Sequence, residues 1–205
     1  LLDLLAKELV AHKFDLQWLV RELALTQTYQ RSSVLPAGAK APPEELFTVA
    51  KERPLSAEQL ARAFLAATGE QERVAAGKGW EGIEGKKHTQ KDFEKAFLAA
   101  FANAAKEPEL TVNPTLRAAL FLRNNDLVLW ALQKRPGNLL ARLTALTDVG
   151  QIADELYLAI LSRPPVAEEK DELAKHLTKH AANREKALGH YAWAMLSSME
   201  FFTNH

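Results

Sequence analysis

Glu172, His176 and His180 have the residue types and spacing of a metal site. At i, i+4 and i+8 a helix puts all three on one face, and two imidazoles with a carboxylate suit a divalent transition metal. The same face is the charged side of a surface helix, and zinc hydrolases set their glutamate inside HExxH, so solvated side chains are the expected reading. Paired carboxylates occur at Glu44-Glu45 and Glu168-Glu169. Adjacent helical residues point about 100° apart, too divergent to flank one bond as acid and base.

The stretch 77–88, GKGWEGIEGKKH, invites a phosphate-loop reading. Gly79 and Gly85 enclose five residues instead of four, Lys87 stands where Ser or Thr should follow the lysine, and no strand precedes. An irregular loop anchored by Trp80 is expected. The serines at Ser32-Ser33 and Ser197-Ser198 lie outside any GxSxG elbow. Glu200, Asn204 and His205 gather at the end of the last predicted helix, where they could orient a ligand or satisfy terminal carbonyls; the structural role is expected. Arg163, before Pro164-Pro165, has two uses open to its fork of donors: capping the carbonyls that end a helix, or binding a partner's carboxylate.

The elements that must carry these residues are helices. From Leu156 to Leu161 six apolar residues run without interruption, Asp148 and Gln151 resemble a capping box, and Pro164 marks the end. This predicts a central buried helix near 150–162. Earlier, Leu2, Leu5 and Leu9, then Leu16, Leu19 and Leu23 behind Asp15, predict two short helices packed as a hairpin. A loop is predicted at 32–43 and a short helix at 44–51. Ser56 with Gln59 opens a helix closed by Gly69. Thr89 caps another with Phe93, Phe97, Ala100 and Phe101 on its apolar face. Asn113-Pro114 is expected to open the next. Leu127, Trp130 and Ala131 continue the pattern to a turn at Arg135-Pro136-Gly137-Asn138. After the central helix, Val166 to His180 is a surface helix with Leu173 and Leu177 inward. A last amphipathic helix runs from about Asn183 through Leu188, Tyr191, Ala192, Met195, Met199 and Phe202.

No stretch alternates convincingly enough for a strand. The expected class is therefore all-α, an irregular bundle of about eight to ten helices. The 205 residues suffice for a single domain over 1–205, with sub-units 1–110 and 111–205 as an alternative division. Hydrophobic residues at 47% and charged residues at 25% argue for a folded chain. Lys+Arg and Asp+Glu both number 26, which lacks the basic excess of a nucleic-acid binder. Without cysteine the chain has no disulfide, thiolate metal site or covalent haem attachment. No apolar run approaches the ~20 residues of a membrane span. Leu1 stands in mid-helix pattern without an initiator methionine, so a fragment of a longer protein is expected.

Five phrases carry a family resemblance in register: 1–33, RPLSAEQLARAFLAATG, ALFLRNNDLV, ELYLAILSRPP and WAMLSSMEFFTNH. Together they resemble the C-terminal domain of unknown function of large planctomycete proteins that often also carry a cytochrome-c-like domain. Matching positions include Trp18, Tyr29, Glu58, Gly69, Leu156, Tyr157, Arg163, Pro164, Trp193, Glu200, Phe201, Asn204 and His205. Ser197 departs from a usual asparagine, and Val166 from a common capping threonine. The resemblance implies an extracytoplasmic, multidomain parent, with haem in a separate upstream domain and no cofactor in this fragment. Tyr29, Arg163, Pro164, Trp193, Glu200, Phe201, Asn204 and His205 are its candidate interaction or structural residues. The expected function is a non-catalytic helical module whose partners are other domains of the same polypeptide or another protein. The alternative is an accessory domain completing the active site of an upstream redox or hydrolytic enzyme.

Overall fold

Most helices here begin where a short polar side chain can accept from the backbone N–H two or three residues on, relieving one of the unsatisfied donors of a first turn. The computed structural model describes residues 1–31, 35, 38–40, 42–43, 46, 48–50, 53–75, 89–102 and 115–204. Among them are twelve helices, nine of seven or more residues, and two two-residue strands. The class is all-α. The chain divides into two compact units, 1–53 and 54–204.

The first unit contains α1 (Leu2–Ala11) and α2 (Leu16–Ala24). Asp15 caps α2, accepting from the Trp18 N–H at 3.0 Å, and the His12 imidazole stacks on the Trp18 indole at 3.5 Å. The hairpin expected from the sequence does not form: α1 and α2 make no extended contact along one another. Lys13 and Phe14 between them both adopt positive φ, 55° and 62°, which redirects the chain before the stripes can meet. Neither helix holds a buried residue.

The second unit opens with α3 (Ala57–Thr68), whose Ser56–Gln59 capping box is complete. Gly69 ends it at φ 73°, a left-handed cap that suits a residue without Cβ. There follow α4 (Gln71–Ala75), α5 (Gln90–Phe101, boxed by Thr89 and Asp92), α6 (Leu116–Asn124), α7 (Asp126–Ala131) and α8 (Leu139–Ala145). The chain continues through α9 (Val149–Leu161), α10 (Ala167–Lys179), a 3-10 turn, α11 (Arg184–Leu196) and α12 (Met199–Phe202). Thr115 caps α6 by accepting from Ala118 N–H, one residue beyond the proline expected to open it. Asn113, Pro114, the stretch 77–88, much of 32–43, Glu44-Glu45 and His205 lie outside the described residues.

The core of this unit is one continuous cluster. α3 lies against α5, where Phe64, Phe93 and Phe97 are almost wholly excluded from solvent and Phe97 meets Phe121 edge-on at 4.9 Å. Truncating Phe97 to alanine would cost about 3–5 kcal/mol. α9 touches α3, α8, α10, α11 and α12, so it is the central helix expected from its apolar run. Ile152, Ala153, Leu156, Tyr157 and Ile160 are its buried residues. Even so, Leu158 is 55% exposed, because Gln151, Glu155 and Leu158 share a face that no other helix covers fully.

One expected helix is two. The chain breaks at Ser197-Ser198, and Ser198 starts α12 afresh by accepting from Phe201 N–H at 3.3 Å. That break shifts the helical phase, which leaves Met199 exposed instead of on the core face and buries Phe201.

Candidate functional site

Polar chemistry in the second unit concentrates in two clusters. The first is built where α9 ends. Ser162 takes a left-handed conformation at φ 57°, and Pro164-Pro165 cannot continue the helix, so Arg163 is turned toward the start of α10 and toward α12. Its Nη1 and Nη2 donate to Glu169 Oε2 at 2.9 Å and Oε1 at 2.7 Å. Nε and Nη2 donate to Glu200, the latter at 3.0 Å, and Nη1 also reaches the Pro164 carbonyl at 3.3 Å. All five guanidinium N–H groups are thereby engaged.

Glu169 also reaches back to the Val166 N–H at 2.8 Å. Valine has no oxygen with which to return that bond, so only half of a capping box exists. The hydrogen bonds from Arg163 hold the Glu169 carboxyl below the usual glutamate value, against partial burial that pushes the other way. Those same bonds to Glu169 and Glu200 raise the Arg163 pKa, so it remains a cation. Its guanidinium lies 5.2 Å from the centre of the Tyr157 ring. The Tyr157 hydroxyl is 3.5 Å from that of Tyr191, and burial, followed by this neighbour, pushes its pKa up.

The second cluster joins the α3–α4 junction to the turn before α8. Glu70 is fully buried. Its Oε1 accepts from Asn138 Nδ2 at 3.0 Å and from Arg135 Nη1 at 3.5 Å, and Oε2 lies 2.9 Å from Arg73 Nε. Asn138, also fully buried, caps α8 through Ala141 N–H, accepts from Arg135 N–H and donates to the Gln133 carbonyl. Arg135 lies over the Trp130 ring at 3.6 Å. Burial lowers its pKa, with Glu70 pulling it back up. A buried carboxylate with two cations and an amide is a closed electrostatic unit, costly to break at one member.

The sequence reasoning missed this second cluster. Glu70 follows the glycine that ends α3 and looks like a loop charge; the usable signal was Asn138, the N-cap after Arg135-Pro136-Gly137. Among the residues singled out earlier, Arg163 and Glu200 meet, while Pro164 supplies a carbonyl beside them. Phe201 is buried and Asn204 is exposed in the strand Thr203–Asn204. Trp193 lies apart from them, donating its indole N–H to the Leu122 carbonyl at 2.9 Å and so fastening α11 to α6. Tyr29 belongs to the first unit and is 69% exposed. Of the metal-like triad, Glu172 and His180 are exposed, and His176 Nε2 is 3.0 Å from the Ala187 carbonyl. Among the described residues no three His, Cys, Asp or Glu side chains are grouped to hold a metal.

An open groove of about 420 Å³ lies between α5 and α6, floored by Ala96, Ala99 and Ala100 and edged by Arg117, Leu120 and Phe121. No described helix is long and apolar enough to cross a membrane. Neither a curated protein nor a solved structure matches the chain. A family model does match, over residues 1–177, and by that match the chain belongs to PSD1, a family of proteins of unknown function (DUF1553).

Proposed function

We propose that this chain is a non-catalytic helical module, a structural or interaction domain of an extracytoplasmic multidomain protein. The observation that carries the reading is the full engagement of Arg163: its five N–H donors meet Glu169, Glu200 and the Pro164 carbonyl. An arginine that recognises a substrate anion must keep part of its fork open. Glu70 is hydrogen-bonded by Arg135 and Asn138 and ion-paired with Arg73, so these charges too face one another inside the unit. The family resemblance in the five sequence phrases supports the further proposal of a planctomycete parent whose haem sits in a separate cytochrome-c-like domain.

Glu200→Gln tests the reading. It keeps the shape and removes the charge facing Arg163, so the melting temperature of the chain should fall by several degrees while any activity of the intact parent protein falls only with the folded fraction. An unchanged melting temperature together with loss of an activity or ligand in the parent would overturn it.

A further inference from the structure

The second unit ends in a short segment that is tied to it at two points. α12 is a single turn of four residues, far below the ~12–15 at which an isolated helix holds in water, so its order comes from what it touches. At one end Glu200 accepts from Arg163, whose Nη2 lies 3.0 Å from Oε2. At the other, strand β2 (Thr203–Asn204) pairs with strand β1 (Arg53–Pro54), and Leu55 N–H donates to the Phe202 carbonyl at 2.8 Å. Thr203 joins the two ties: its hydroxyl donates to the carbonyls of Met199 and Glu200, at 3.2 and 3.3 Å. Between them Phe201 is buried and Phe202 meets the Phe101 ring at 5.7 Å. The joint with α11 is Ser197-Ser198, where the helix is broken and the buried Ser197 hydroxyl finds no partner among the described residues.

We propose that residues 198–204 are a latch that opens and closes as one piece about Ser197-Ser198, and that the Arg163–Glu200 pair controls whether β1 is paired. The links are continuous. Arg163 holds the Glu200 side chain, Thr203 holds the Glu200 backbone, and β2 holds β1. A contiguous segment with few buried apolar contacts opens at a lower free energy than the packed core beside it. That core is of the other kind: Phe64, Leu156 and Leu188 are at most 1% exposed. When the latch opens, Leu55 loses its acceptor just ahead of the Ser56 cap of α3, while Arg163 keeps both bonds to Glu169. The charged corner after α9 and the chain entering α3 thus form one two-state element. The latch is independent of the reading of the chain as a non-catalytic module.

Native-state hydrogen exchange of the full chain tests this. The reporters are the Leu55 amide and the Thr203 amide, which donates to the Glu200 carbonyl. In the unaltered chain they should share one protection factor, about tenfold or more below those of Phe64 and Leu156 in the core. Glu200→Gln should speed exchange at both by the same factor, about three- to tenfold. Glu155→Gln, which removes an ion pair to Arg142 outside the latch, should leave both unchanged. Thr203→Val keeps the Arg163–Glu200 pair and a strand-forming residue but cuts the tie between them. It should speed exchange at Leu55 and shrink the effect of Glu200→Gln there. A Leu55 amide that exchanges only with the core, or out of step with Thr203, overturns the latch. So does a Glu200→Gln effect at Leu55 no larger than that of Glu155→Gln. A Glu200→Gln chain that melts lower with Leu55 exchange unchanged would overturn the latch alone and leave the module reading standing.

Discussion

The side-chain amide of Asn138 donates to Glu70 Oε1 at 3.0 Å across 68 positions of chain, and both residues are fully buried. The bond fixes the start of α8 against the end of α3. Removing the carboxylate leaves Arg73 and Arg135 facing each other without a counter-charge. Glu70→Ala should therefore cost about 3–5 kcal/mol, and Glu70→Gln less, since the amide oxygen can still accept from Asn138. Denaturant titration of both variants checks the order; equal losses would show that the hydrogen bond from Asn138 contributes nothing beyond the charge.

Gly69 sits beside this cluster, and its conformation is part of it. A Cβ added there would lie 3.0 Å from Arg142 Nη1 and 3.3 Å from Asn138 Cα, in a backbone region at φ 73° that other residues avoid. Gly69→Ala should destabilise by about 1–3 kcal/mol despite alanine's better helix propensity. A thermal melt that rises on this substitution would contradict the close packing of the α3 cap on the α8 turn.

The Arg163 cluster predicts an acid limb in stability. Arg163 depresses the folded-state value of Glu169 below the ordinary 4.5. The stabilisation is present in full above the unfolded value, and it is lost as pH falls through the folded one, where the unfolded chain binds the extra proton first. Denaturation midpoints should fall as pH drops below about 4.5. Glu169→Gln should lower the midpoint at neutral pH and flatten that acid slope; a parallel slope in the variant would assign the acid limb to other carboxylates.

Ser197 Oγ is buried and has no hydrogen-bond partner among the described residues. An unpaired hydroxyl in that position opposes folding, so Ser197→Ala should be neutral or stabilise by up to about 1 kcal/mol. A loss of more than that in a melting curve would reveal a partner for the hydroxyl.

Features specified within a few residues were readable from the chain. Asp15, Ser56, Thr89 and Asp148 cap the helices that their spacing announces, and Gly69 ends α3, because each bond closes over three or four positions. The central place of α9 followed from its continuous apolar run. Arg163 could be identified as a fork in search of an acceptor, yet Glu200 lies 37 positions away and no local pattern selects it. Glu70 is the opposite case. Its neighbours give no sign of burial, since the cations and amide that compensate it come mainly from 65 and 68 residues downstream. The α1–α2 hairpin failed for a backbone reason: Lys13 and Phe14 hold positive φ, a conformation that sequence seldom announces outside glycine and asparagine.

The N–H of Leu55 donates to the carbonyl of Phe202 at 2.8 Å, so the second unit begins and ends at the same point. During synthesis at ~5–20 residues per second, the ~150 intervening residues delay that closure by on the order of 10 s. For that interval α3 and α5 can collapse on each other through their phenylalanines, while the surfaces awaiting α11 and α12 stay uncovered. The unit therefore completes its fold only once the segment that carries Phe202 has been made.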